Sequence, residues 1–395
     1  MSKRLIPSRR AQAIEPTLIR ALRSGMGPST IDFGLGQTDL EVSEAIRRHF
    51  RASLNEPMRA PYTPNAGLLW ARKAVAQHAG VKPQEVMLTC GVQQGLAVAI
   101  LGLCDPGDEV LIPDPGFPAY ANLVRAAGGR PIGVPLGKPT EELPGWGLDV
   151  AAMRQRIGPD TKLAILNNPA NPTGSVFGRS EMTAVLKLFD EHDIGWISDE
   201  IYEEYVWSGQ FASARTLSGD PDAGIVVSGP SKSHHMMGWR IGWMIGPAET
   251  LRQLTPLHQH MVTCAPLPAQ EAIVAALGDH EHALAATRKI FAARRQKVLD
   301  AFADIGLGSP PVAQGAFYIF LDLRPWGANF ATTAELAQAL LDEEDVLVIP
   351  GEGFGPSGLG HVRLAYTIGG EALDCGLRRI RKFLKRHRPP DGEQP

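Results

Sequence analysis

From residue 85 onward the chain alternates short apolar runs with segments of helical spacing, and few architectures accommodate that rhythm. Seven runs predict strands: Glu85–Thr89, Glu109–Pro113, Pro131–Pro135, Lys162–Asn167, Gly195–Ser198, Gly224–Ser228 and Arg240–Ile245. Helical patterns fill most intervals between the first five, at Gln93–Leu103, Tyr120–Ala127, Val150–Ile157 and Ser180–His192. The runs are apolar nearly throughout instead of alternating in polarity, so both faces of the sheet must be covered. The pattern therefore predicts an α/β fold with a seven-stranded, mostly parallel sheet and helices on both faces. Such sheets gather ligands at the carboxyl ends of their strands.

The remaining sequence predicts a smaller α+β domain. With 395 residues, 44% of them hydrophobic, the chain can bury a large core divided between two or three domains. A helical run from His280 to Ile305 is too long for a simple connector and joins the sheet to a C-terminal region. That region reads as a strand in GAFYIFLDL, a helix at Thr333–Asp342, the strands VLVIP and HVRLAY, and a last helix. Short helices are expected at Ile14–Ser24 and Val42–Leu54. The expected division is an N-terminal arm with part of the smaller domain over 1–45, a large domain over 46–282, a small domain over 283–388 and a disordered tail over 389–395. In the last helix Leu373, Leu377, Ile380 and Leu384 form an apolar stripe, while Arg378, Arg379, Arg381, Lys382, Lys385 and Arg386 face away. Cations at a helix C-terminus complement its dipole, so this reads as a solvated face and not as a nucleic-acid surface.

A net charge of −3 and a pI near 6.4 supply no bulk attraction to nucleic acid or to an anionic membrane. The four cysteines show no C-x-x-C spacing, so neither a disulfide framework nor a zinc site is indicated, and no metal is expected. The basic start MSKRLIPSRR lacks a following apolar run. No stretch approaches the roughly 18 apolar residues of a spanning helix, and the chain reads as cytoplasmic.

The chemistry centres on SGPSKSHHMMGWRIG, residues 228–242. Lys232 lies between apolar strands, where a desolvated amine has a lowered pKa and can attack a carbonyl. Arg240 follows with a fork suited to phosphate. Upstream, Gly91 ends the first strand and a helix begins near Gln93, so the N–H groups of Val92 and Gln93 face whatever sits over that helix start, a geometry that also suits phosphate. Asp199 ends an apolar strand and needs a cationic partner, because a lone buried carboxylate would rather be protonated. Arg363, on the strand VRLAY, needs an anion for the same reason, either a structural salt bridge or a bound carboxylate.

Together these segments resemble the class I/II aminotransferases of fold type I, which use pyridoxal 5'-phosphate. The motifs run in family order from Ile31 to Leu384: FGLGQ, YTPNAG, TCGVQQG, DPGFPAY, NNPANPTG, SDEIY, SGPSK, GWRIG and VRLAY. The resemblance implies that Lys232 holds the cofactor aldehyde as a Schiff base and then acts as acid and base. It pairs Asp199 with the pyridine nitrogen, and gives Asn171 and Tyr202 to the phenolic oxygen and Phe117 to the ring face. Val92, Gln93, Ser231 and Arg240 fall at the cofactor and its phosphate, with Tyr62 reaching the phosphate of a second subunit in a homodimer. Gly36, Asn171 and Arg363 would receive the substrate carboxylate. An amino acid and a 2-oxo acid are the implied partners.

The chain departs from the family pattern at several points. Gln37-Thr38 replaces a common Glu-Pro, Gly229 stands where a serine is frequent, and Pro230, His234 and His235 have no assigned role. Gln93 occupies the position at which the nearest aspartate-specific members carry a lysine for the second carboxylate. A neutral donor is therefore expected, with Phe33, Phe317, Tyr318 and Tyr366 as candidate pocket walls. Two other readings share much of this pattern: a lyase or cyclising synthase on the same cofactor, and a non-catalytic ligand-sensing domain. About 30 residues precede the first motif, with no winged-helix pattern, which disfavours the last.

Overall fold

The computed structural model describes residues 5–14, 16–55, 61–140, 145–309 and 311–389; the tail expected from 389 lies outside them apart from its first residue. Twelve strands occur among the described residues: β1 (Ile31–Asp32), β2 (Val86–Thr89), β3 (Glu109–Asp114), β4 (Arg130–Pro135), β5 (Thr161–Asn167), β6 (Gly195–Asp199), β7 (Gly224–Ser228), β8 (Gly242–Ile245), β9 (Tyr318–Asp322), β10 (Val346–Leu347), β11 (Ile349–Pro350) and β12 (His361–Ala365). Seven form one sheet in the order β2-β8-β7-β6-β5-β3-β4. Only β8 runs against its neighbours. The apolar strands are buried, as Met87, Val110, Ile165, Ile197 and Val227 illustrate, and two apolar clusters pack around them.

The order reverses between β3 and β5. From β3 the chain goes outward to β4, then returns to β5 on the other side and continues through β6, β7 and β8. Pairing between β3 and β5 ends at Leu111 and Ala164, although β3 continues beside β4 to Asp114 and β5 beside β6 to Asn167. The two carboxyl ends therefore part, which is where ligands collect in doubly wound sheets.

The smaller sheet is antiparallel, in the order β11-β12-β9. The expected strand VLVIP is divided between two sheets: Val346–Leu347 pairs in parallel with β1, and Ile349–Pro350 pairs with β12. The long helix spans His280–Phe302. Two helices that the sequence pattern does not predict, Ala248–Val262 and Leu267–Gly278, fill the interval before it; the first contains Pro256, which obscures its pattern. On the last helix, Gly370–Arg386, the basic face is largely occupied by acids: Arg381 by Asp304, Lys382 by Glu344, and Arg386 by Glu343 and Glu344. Among the described residues no helix is long and apolar enough to cross a membrane.

Candidate active site

At the parted ends of β3 and β5 lies a cavity of about 240 Å³. Its lining includes Gly36, Val92, Gln93, Phe117, Asn171, Asp199, Tyr202, Ser231, Lys232, Arg240 and Arg363, so every site residue expected from the sequence is brought together except Tyr62. That side chain is 86% exposed and does not line its own chain's cavity.

The Val92–Leu103 helix starts at this cavity. Gly91 precedes it with φ +78°, and a Cβ there would come within 2.4 Å of the Arg240 guanidinium, so only glycine allows arginine and helix start to meet. Arg240 itself was expected to open β8. It instead lies before the strand, in the left-handed region at φ +53°, and donates to the carbonyls of Met237 and Cys90 at 2.7 and 3.3 Å. The first N–H groups of a helix have no helical acceptor, and the dipole there attracts anions. Helix start and arginine thus define one anion site.

Lys232 lies in a single helical turn, Pro230–Ser233, directly after β7. Its Nζ donates to the Gly36 carbonyl at 2.7 Å and lies 5.9 Å from the centre of the Phe317 ring. Burial, and then the positive charge of Arg363, lower its pKa to about 8, with Asp199 opposing. Asp199, at the end of β6, is buried and accepts from the Tyr120 hydroxyl at 2.9 Å and from the Ile201 N–H at 3.2 Å. Burial raises its pKa to about 6 despite these bonds.

Arg363, on β12, is 2% exposed. It donates to Asn171 Oδ1 at 2.9 Å and to the Gly34 carbonyl, while its Nε has no partner. The ring of Tyr318 lies 4.5 Å from its guanidinium carbon. Close approach is again essential: a Cβ at Gly36 would fall 2.0 Å from the Tyr318 hydroxyl, which shares a 2.8 Å hydrogen bond with the Tyr202 hydroxyl.

Three cationic side chains and one carboxylate therefore line the cavity. Among the described residues Lys232, Arg240 and Arg363 form no salt bridge with any carboxylate. Arg363 is buried, and a buried cation without a counter-ion requires an anion from outside the chain; Arg240, at the exposed mouth, presents its fork to the same cavity. The site accordingly fits anionic groups at Arg240 and at Arg363 and a cationic group beside Asp199, with a lysine amine in the same cavity able to attack a carbonyl.

Some site residues carry no clear signal in the sequence. Tyr120 enters the pattern only as the end of DPGFPAY, although it follows Phe117 by one helical turn and stacks edge-on with it at 5.6 Å. Asn167 donates to the Asp199 carbonyl and accepts from the Asn171 N–H, which locks the NNPANPTG loop to β6. Of the four expected wall aromatics only Tyr318 lines the cavity. Phe33, Phe317 and Tyr366 are buried in the core.

Comparison with known proteins agrees with this geometry. The family model described as aminotransferase class I and II matches residues 28–380. The aromatic-amino-acid aminotransferase 2 of Thermococcus litoralis is 31% identical, over 96% of this chain and 98% of that protein. The aspartate aminotransferase of Pyrococcus abyssi is 32% identical, over 96% and 98% respectively. Among solved structures, the Thermus thermophilus aspartate aminotransferase with maleate superposes with a TM-score of 0.87 at 30% identity, covering 96% of this chain and all of that one, 100%.

Proposed function

The chain belongs to the class I and II aminotransferases, and on that premise we propose that it moves the amino group of an L-amino acid to a 2-oxo acid, favouring neutral over dicarboxylic donors. The family's cofactor is pyridoxal phosphate, which, when bound, draws electrons from the substrate's alpha carbon and carries the amino group between half-reactions. The observation that carries the reading is the convergence in one cavity of a desolvated amine, a buried carboxylate and two arginines with no carboxylate partner.

Each side chain then has a role. Lys232 would hold the cofactor by its amine and, once displaced by the substrate's amino group, would move the alpha-carbon proton as general base and then general acid. Asp199 keeps the ring nitrogen protonated, and the Tyr120 hydroxyl fixes the carboxylate's orientation. Arg240, Ser231 and the helix start at Val92 and Gln93 take the phosphate. Phe117 covers the ring. Asn171, with its Oδ1 engaged by Arg363, keeps its amide N–H for the phenolic oxygen, as Tyr202 keeps its hydroxyl. Arg363 takes the substrate's alpha-carboxylate beside the Gly36 backbone, a planar bidentate match. The domain boundaries expected from the sequence accompany this proposal, with residues 31–36 belonging to the smaller domain through the β1–β10 pairing.

Donor preference follows from charge. Every cation lining the cavity already has a role, and Gln93 is neutral, while Leu35, Leu96, Ile201, Met237 and Tyr318 supply apolar or aromatic wall. A neutral amide lacks the charge that roughly doubles the strength of a hydrogen bond to carboxylate. A panel of donors at fixed 2-oxo acid, followed by keto-acid product, should give higher kcat/KM for aliphatic, sulfur-containing or aromatic amino acids than for aspartate, and Gln93→Lys should shift preference toward aspartate. Wild-type preference for aspartate by about tenfold or more, roughly the 1.4 kcal/mol of one good contact, would refute the argument from Gln93.

The proposal includes a homodimer in which Tyr62 serves the partner's phosphate site. Tyr62 is exposed, and so are the apolar Leu69 and Trp70 that follow it in sequence, 50% and 45%, as residues at a subunit contact would be in a single chain. Inactive Lys232→Ala protein mixed with an inactive Tyr62→Ala variant under subunit exchange should recover activity, because one site in each mixed dimer is then intact. Absence of recovery in verified mixed dimers rules out a shared site.

A further inference from the structure

Next to the Lys232 turn, and outside the lining of the cavity, the fold gathers histidines that the mechanism does not use. His78 comes from the Leu69–Ala79 helix, Glu204 from the turn following β6, and His280 from the first position of the long helix. Their ligand atoms lie within 4.8 Å of one another. His280 Nε2 is 2.7 Å from Glu204 Oε1, and the His78 and His280 rings are 4.6 Å apart. His234, two residues beyond Lys232, places its ring 5.2 Å from that of His280. No sequence spacing could show this, since the members are separated by up to about two hundred residues.

We propose that His78, Glu204 and His280 bind a divalent transition cation of the zinc class, one per chain, with a water in the fourth position. Two independent observations point to a missing ligand. His234 is 3% exposed and its Nε2 has no hydrogen-bond partner; its other nitrogen is engaged with the Ser233 hydroxyl at 2.9 Å. His280 Nδ1 is likewise buried without a partner. Unpaired buried polar atoms are uncommon and call for an occupant.

The chemistry of the donors agrees. Two imidazoles and one carboxylate with an open position form a recognised zinc set. Arg288 donates to Glu204's second oxygen, and its Nε donates to the Glu204 backbone carbonyl at 2.9 Å, the kind of outer contact that orients a ligating carboxylate. His78 is exposed and provides an entry path. A cation here would clamp the Leu69–Ala79 helix, the turn after β6 and the long helix to one another.

The test is calorimetric titration of the cofactor-loaded enzyme with zinc chloride at neutral pH, alongside His78→Ala and His280→Ala. The expected result is about one saturable equivalent per chain, with affinity falling at least roughly tenfold in each variant and a zinc-dependent rise in thermal midpoint present in the parent only. His78→Ala alters an exposed side chain and keeps the measurement available should His280→Ala fail to fold. Absence of saturable binding overturns the proposal, as does equal binding by parent and His78→Ala, which would place the zinc elsewhere.

Discussion

Replacing Lys232 with alanine should abolish the covalent, borohydride-reducible attachment of the cofactor and reduce turnover by roughly four to six powers of ten, the scale on which loss of an enzyme's covalent nucleophile is felt. Peptide mapping after reduction should find the label within residues 228–242 of the wild type and nowhere in the variant. A reducible adduct surviving on another lysine would displace Lys232 from the proposal. The amine's environment adds a pH signature. Burial and Arg363 bring its pKa to about 8 from an ordinary 10.5, and only the neutral amine attacks an aldehyde. Cofactor capture by the apoprotein should therefore accelerate through pH 8, whereas a midpoint above 10 would reveal an amine open to water.

Asp199→Ala should lower turnover by roughly two to four powers of ten, because removing one partner of a buried ion pair costs about 3 to 5 kcal/mol. Near-normal turnover would show that the carboxylate faces no cation. In the apoprotein the same carboxylate acts in the opposite sense. Its folded pKa of about 6 is raised above the ordinary 3.8, so its contribution is fully present below pH 3.8 and is lost as pH rises through 6. The charged form at neutral pH then costs the empty fold on the order of 3 kcal/mol. Asp199→Asn should raise the apoprotein's melting temperature at pH 7.5, with the gain vanishing toward pH 4. The variant is expected to be firmer without cofactor and far weaker as a catalyst.

What could be read from the sequence obeys a physical division. Lys232, Asp199, Asn171 and the helix start at Val92 sit at strand ends, and apolar strand runs are visible locally. Their convergence follows from the parallel sheet alone. Arg240 is legible in GWRIG, but its left-handed backbone carries no local signal. The Ala248–Val262 helix was hidden by Pro256. VLVIP looked like one strand because periodicity does not reveal a change of partner between Leu347 and Ile349. Tyr120 and the histidine cluster are products of tertiary contact. The candidate walls Phe33, Phe317 and Tyr366 could not be told apart from Tyr318 beforehand, since an aromatic in a core and one at a cavity have the same local pattern.

The pairing of β1 with β10 sets an order of events during synthesis. Residues 31–36, which bring Gly34 and Gly36 to Arg363 and Lys232, have no strand partner until Val346 and Leu347 exist. At about 5–20 residues per second a ribosome needs roughly 15 to 60 s to make the intervening chain. The half of the cavity proposed to take the phosphate, built from residues 91 to 240, emerges well before the half proposed for the substrate. On the proposed function, a nascent chain acquires its anchoring lysine and its anion site while the substrate's carboxylate still has nowhere to bind, and the amino acid is the last participant for which a place is made.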